Sequence, residues 1–158
     1  MIKSILFVCT GNLCRSPMAE ALMKKEMEKY PSYDIHISSA GVLTVDGRLA
    51  SDPAILVMNE RGIDIMGHHS TRINEGLLRE ADLVIVMETM HRDVLLSMTP
   101  DLDNKIKIMG DYHPDSENHH EIDDPYGLGL AEYRSCANEI HTCIRNLIHK
   151  EILESSQS

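Results

Sequence analysis

Val8-Cys9-Thr10-Gly11-Asn12-Leu13-Cys14-Arg15-Ser16-Pro17 follows an apolar run, Ile5-Leu6-Phe7-Val8, and leads into the segment Met18 to Lys29. The run reads as a short buried strand and the segment as a helix. Ser16 fits the N-cap of that helix and Pro17 its first residue, where a missing N–H costs nothing. A loop of this kind turns several backbone N–H groups into one concavity at the positive end of a helix dipole. It is an anion site, and phosphate is the common anion of matching size.

Two side chains prepare the loop for chemistry. A cysteine under N–H donors, near a guanidinium and a helix N-terminus, is placed to act as a thiolate, and Cys9 has these surroundings. Arg15 carries a planar fork that holds two phosphate oxygens at once, which lysine could not do. A thiolate below a clamped phosphate is aligned for in-line attack on phosphorus. Ser16 can donate its hydroxyl to that sulfur. Gly11 and Asn12 tolerate the left-handed backbone of a tight cradle. Thr10, Leu13 and Cys14 complete the phosphate-binding loop.

The motif Val8-Cys9-x-Gly11-Asn12-x-Cys14-Arg15-Ser16-Pro17-Met18-Ala19-Glu20 resembles the low-molecular-weight protein tyrosine phosphatases. Ser39-Ala40-Gly41, Asp52-Pro53, Arg61-Gly62-Ile63 and Asp124-Pro125-Tyr126 match that family's landmarks in the same order, so the resemblance spans nearly the whole chain. It implies hydrolysis of phosphotyrosine in protein substrates, and of small aryl phosphates, through a phosphocysteine intermediate. It also implies that Asp124 is the general acid, and that Cys14 can form a reversible disulfide with the nucleophile Cys9. Asn12, Ser39 and His68 would form a supporting hydrogen-bond network, with His68 and His69 both open as the matching histidine. Leu13 and Tyr126 would be opposite walls of the substrate slot, and Val45 stands where animal members often carry tryptophan. A flat slot between an aliphatic and an aromatic wall suits a phenyl ring. Some bacterial relatives act on phosphoarginine and prefer a small polar residue at the Leu13 position, so leucine favours phosphotyrosine.

The second chemical element is Asp123-Asp124-Pro125-Tyr126-Gly127, in a long polar loop from Gly110 to Gly127. Ester hydrolysis needs a proton for the leaving oxygen and then a base for water. A carboxylate here serves both, with proline fixing the adjacent backbone. Asp123 is a neighbouring charge that would raise the proton affinity of Asp124. The scheme calls for no metal and no cofactor, because Arg15 and the loop stabilise the phosphoryl charge. His113, Asp115, Glu117, His119 and His120 fit no standard metal-ligand spacing and read as a solvated loop.

The chain has 158 residues, 42% hydrophobic and 25% charged, enough for a single domain of soluble composition spanning 1–158. Trp is absent and Phe occurs once against ten Met, so the core is aliphatic and Met-rich. A formal net charge of −10 argues against nucleic-acid binding and requires any phosphate site to be locally positive. No apolar run is long enough to span a bilayer, and the N-terminus lacks a full signal-peptide core. A cytoplasmic monomer is the expectation. Cys9, Cys14, Cys136 and Cys143 suggest neither a disulfide framework nor a zinc site, and a reducing compartment suits a free nucleophilic thiol.

The remaining pattern alternates strands with helices. Strands are expected at Asp34 to Ser39, Leu83 to Met87 and Ile106 to Ile108. Helices are expected from Asp52 as N-cap to Gly62, over Asn74 to Arg79, over Thr89 to Met98, and from Leu130 to Leu153 before a polar tail. In the last helix Tyr133, Ala137, Ile140, Ile144 and Leu147 should face the sheet, with Cys136 and Cys143 packed beside them. This is a four-stranded parallel α/β sheet with right-handed crossovers and helices on both faces. The resemblance implies strand order 2-1-3-4. Ligands bind such sheets at the carboxyl ends of the strands, where the Cys9 loop lies.

Two rival functions carry different signatures. An arsenate reductase-like oxidoreductase on the same loop needs two more relay cysteines, and Ala81 to Leu96 has none. A non-catalytic phosphate-binding or phosphoryl-carrier module would have no use for Asp124.

Overall fold

The computed structural model describes residues 1–155. Four parallel strands, β1 (Ser4–Cys9), β2 (His36–Gly41), β3 (Leu83–Val86) and β4 (Ile106–Ile108), form one sheet in the order β2-β1-β3-β4. β1 and β3 are the central strands, and every residue of β3 is buried, as its unbroken Leu-Val-Ile-Val run requires. Register sets Cys9 beside Gly41, and Val8 beside Val86. All four strands therefore end at one edge, and the loops that follow them meet there.

The helices are α1 (Arg15–Met27), α2 (Asp52–Glu60), α3 (Glu75–Glu80), α4 (Thr89–Met98) and α5 (Leu130–Leu147). The two-residue pleat of β1 divides the core. Ile5 and Phe7 face the larger layer with Met18, Met23, Met58 and Ile140, under α1, α2 and α5. Leu6 and Val8 face the smaller layer with Leu78 and Leu95, under α3 and α4. The five apolar positions expected of the last helix are all buried, and so are Cys136 and Cys143.

Several boundaries differ from the sequence reading. α1 starts at Arg15, so Ser16 lies inside its first turn and caps nothing. Its hydroxyl is committed to the loop instead. The same helix ends at Met27 rather than Lys29, because the N–H groups of Glu28, Lys29 and Tyr30 turn back to carbonyls three residues earlier. Ser51, not Asp52, flanks α2, and Asp52 becomes its first residue, still complementing the dipole. Asn74 does cap α3, accepting the Leu77 N–H at 2.9 Å. After Leu147 the last helix widens into π turns over Ile148–Leu153, which bury Ile152 and set Glu151 against the Tyr112 hydroxyl at 2.8 Å. The last three residues of the expected polar tail, 156–158, lie outside the described residues.

Gly41 ends β2 beneath the Cys9 loop. A Cβ there would stand 2.7 Å from the Thr10 carbonyl oxygen and 2.9 Å from the Asn12 nitrogen, so only glycine lets the loop lie so close to the sheet.

Candidate active site

The Cys9 loop wraps a cavity of about 200 Å³, which Asp124 and Tyr126 also line. Cys9 ends β1 and is buried, with its Sγ 2.9 Å from Ser16 Oγ. Asn12 Nδ2 donates to Ser16 Oγ at 2.7 Å, and that hydroxyl also lies 3.4 Å from the Ala40 carbonyl. A thiolate has no hydrogen to give, so with Cys9 in that form the serine hydroxyl is the donor of the 2.9 Å contact.

Asn12 is the hub beneath the loop. It is fully buried at φ 57°, and it is the only non-glycine residue with positive φ among the described residues. Its Nδ2 also donates to Ser39 Oγ at 2.9 Å, and its Oδ1 accepts the Thr71 N–H at 2.9 Å. Ser39 Oγ in turn donates to Glu20 Oε1 at 2.7 Å. The Asn12 carbonyl accepts from His68 Nε2 at 2.8 Å, whereas His69 turns to the Gly67 carbonyl. Of the two histidines, His68 is the one that bonds to the loop.

Arg15 is 1% exposed, yet its guanidinium has five hydrogens to place. Nη1 donates to Glu88 Oε2 and to the Ile122 carbonyl, each at 2.7 Å. Nη2 lies 3.5 Å from Asp124 Oδ2 and 3.5 Å from Thr10 Oγ1. Burial alone would weaken this guanidinium's hold on its proton, but Cys9, Glu88 and Asp124 outweigh it and raise the hold above the ordinary value. The positive charge is permanent and is aimed at the pocket. Asp124 is partly exposed at the cavity mouth, and its Oδ1 accepts the Tyr126 N–H at 3.0 Å. The short turn Asp124-Pro125-Tyr126 thereby locks on its own carboxylate.

Cys14 Sγ contacts Ser51 Oγ at 3.2 Å and Tyr133 Oη at 3.1 Å. Burial is the main reason that its thiol is pushed above the ordinary cysteine range.

Leu13 lines the cavity and is 8% exposed, so it is part of the wall, as Tyr126 is. The slot differs from expectation at Val45. Val45 is 63% exposed and does not line the cavity. Its carbonyl is held by Ser70 Oγ at 2.7 Å, and Gly47, at φ 94°, then turns the chain so that Arg48 reaches the cavity.

Glu88 and His91, which hold Arg15 and Thr10 from the start of α4, were missed in the sequence, as were Glu20 and Tyr133. The available signal was the Glu-x-x-His spacing at a helix start, which is that of a capping pair.

The family profile for low molecular weight phosphotyrosine protein phosphatase matches residues 4–158. The probable low molecular weight protein-tyrosine-phosphatase AmsI of Erwinia amylovora is 36% identical over 126 residues, covering 80% of this chain and 81% of AmsI. A protein-arginine-phosphatase of Geobacillus stearothermophilus is 34% identical over 146 residues, covering 92% and 94%. The solved low molecular weight protein tyrosine phosphatase of T. tengcongensis superposes with a TM-score of 0.86 at 37% identity, over 94% of this chain and 99% of that one. By sequence and by fold, the chain belongs to the low molecular weight phosphotyrosine protein phosphatase family.

Proposed function

We propose that this protein is a cysteine-dependent protein tyrosine phosphatase, with Cys9 as nucleophile, Arg15 as phosphate clamp and Asp124 as general acid and base. The observation that carries the reading is the meeting of the three in one cavity, with a serine hydroxyl 2.9 Å from the cysteine sulfur. In the first step Cys9 Sγ bonds to phosphorus as the ester P–O bond breaks, and Asp124 gives its proton to the departing oxygen. In the second, Asp124 takes a proton from water as water attacks phosphorus. The S–P bond breaks, the thiolate returns to the Ser16 hydroxyl, and inorganic phosphate leaves. Arg15 and the loop N–H groups hold the non-bridging oxygens throughout.

The wall made by Leu13 and the exposed Tyr126 favours a flat aryl ester. Phosphotyrosine in proteins is the substrate class, with small aryl phosphates as surrogates. The enzyme acts as a monomer, and its unpaired thiols suit the reducing cytoplasm. Phosphoarginine, named by the Geobacillus relative, is the competing substrate.

Turnover of p-nitrophenyl phosphate in EDTA tests the reading, with Cys9→Ser and Asp124→Ala beside the wild type. Wild type should be active, Cys9→Ser inactive and Asp124→Ala slowed at least a hundredfold, roughly the range of general acid catalysis. A Cys9→Ser enzyme that still turns over would refute the mechanism. Phosphotyrosine and phosphoarginine peptides, compared by kcat/KM, then decide the substrate class.

A further inference from the structure

The groups that hold the Cys9 loop from the α4 side belong to one helix cap. The Glu88 carboxylate accepts from the His91 backbone N–H, and His91 Nδ1 accepts from the Glu88 backbone N–H at 3.1 Å. Each side chain has a second partner in the loop. Glu88 takes Arg15 Nη1, and His91 Nε2 lies 2.8 Å from Thr10 Oγ1. His91 is fully buried, so this arrangement excludes water from its ring.

The cap fixes where the protons are. A backbone N–H can only donate, so Nδ1 carries no proton. The neutral ring then has its hydrogen on Nε2, which must donate to Thr10 Oγ1. Burial, reinforced by Arg15, pushes His91 down to about 4, so the neutral form holds at neutral pH. Arg15 Nη2 approaches the same hydroxyl at 3.5 Å, also as a donor. With both neighbours donating, the Thr10 hydroxyl has only its own hydrogen left to give. No carbonyl or carboxylate among the described residues takes it. Arg15 Nη2 is the nitrogen that also faces Asp124, and Thr10 itself lines the cavity with Arg15 and Asp124.

We propose that the Thr10 hydroxyl donates to a non-bridging oxygen of the bound phosphoryl group, and that His91 is the positioning residue that turns it there. The proposal rests on the phosphatase reading of this cavity and adds a side-chain donor to the backbone N–H groups. Such a donor works because it is oriented before the substrate arrives and needs no rearrangement as charge moves onto the oxygens. The cap of α4 thus serves two ends. It closes the helix, and it aims both Arg15 and Thr10.

The test compares Thr10→Val, Thr10→Ser, His91→Phe and the Thr10→Val/His91→Phe pair with wild type, by kcat on p-nitrophenyl phosphate and by inhibition with orthovanadate. Valine keeps the branched shape and loses only the hydroxyl. Thr10→Val should lower kcat by about tenfold or more and weaken orthovanadate by a similar factor, as loss of one charge-assisted donor does. Thr10→Ser should restore most of both. His91→Phe should fall at least as far as Thr10→Val, and the pair should fall no further than His91→Phe alone. Should His91→Phe fail to fold, the two Thr10 variants decide alone. An active wild type with Thr10→Val equal to Thr10→Ser in kcat and orthovanadate inhibition overturns this proposal only. So do losses that multiply in the pair. An inactive wild type overturns the phosphatase reading and the proposal with it.

Discussion

At the scale of single residues, Asn12 carries more of the site than its distance from the chemistry suggests. Its side chain donates to Ser16 and Ser39 and accepts from Thr71, while its backbone holds a left-handed turn. Asn12→Ala removes all three bonds, leaves the partly buried Thr71 N–H without its acceptor and strains the turn, at a cost of about 3 kcal/mol. That corresponds to a fall in Tm of roughly 10 °C for a domain this size. Asn12→Gly loses the same bonds without the strain and should recover about 1 kcal/mol of it. Thermal unfolding of the pair checks this, and equal melting temperatures would contradict it. Ser16→Ala should act on chemistry instead. It removes the donor to the departing thiolate, so phosphoenzyme hydrolysis slows more than its formation, and a burst of phenolate should appear in stopped-flow traces. Cys9, Arg15 and Ser16 were readable because one continuous loop carries them. Glu20 and Thr71 were not, because their role depends on where a buried amide points, which spacing along the chain does not encode.

At the scale of elements, the α4 cap links stability to pH. His91 is lowered from 6.5 to about 4 by burial, then by Arg15. The unfolded chain therefore takes up a proton as pH falls through 6.5, while folded His91 refuses it until about 4. Stability should be lost across that window and then level off, by on the order of 3 kcal/mol from this group. Urea denaturation of wild type and His91→Gln at several pH values measures it, with the shallower slope expected in the variant. Superimposed slopes would show that His91 does not titrate as its burial demands. The strands and most helices were legible because apolar runs and cap residues are local signals. The start of α1 was not. Ser16 has the form of a cap, but the pull of Cys9 and Asn12 on its hydroxyl outcompetes the helix N–H groups. The path from Val45 to Arg48 was equally hidden, since Gly47 and Ser70 set it through contacts across the loop.

At the scale of the whole molecule, the fold sorts four free thiols by position. Cys136 and Cys143 lie in the core, and burial pushes both up to about 12. Cys14 is raised by burial as well and is held between Ser51 and Tyr133. Iodoacetate at neutral pH should therefore alkylate Cys9 in the native protein and reach the other three only after unfolding, as peptide mapping would show. Early labelling of Cys136 would contradict the packing. The sheet order, which the sequence suggested only through family resemblance, explains why Cys9 and Asp124 meet. Parallel strands bring the loops after β1 and β4 to one edge, although the two residues are far apart in the chain. The central claim is that phosphate passes through the Cys9 sulfur. Rapid acid quenching during turnover of p-nitrophenyl phosphate, followed by mass spectrometry of the intact protein and its peptides, tests this most directly. The account predicts a single added phosphoryl group on the peptide bearing Cys9, absent from Cys9→Ser and more abundant in Ser16→Ala. Turnover without any such adduct in wild type or Ser16→Ala, or an adduct on another residue, would contradict it.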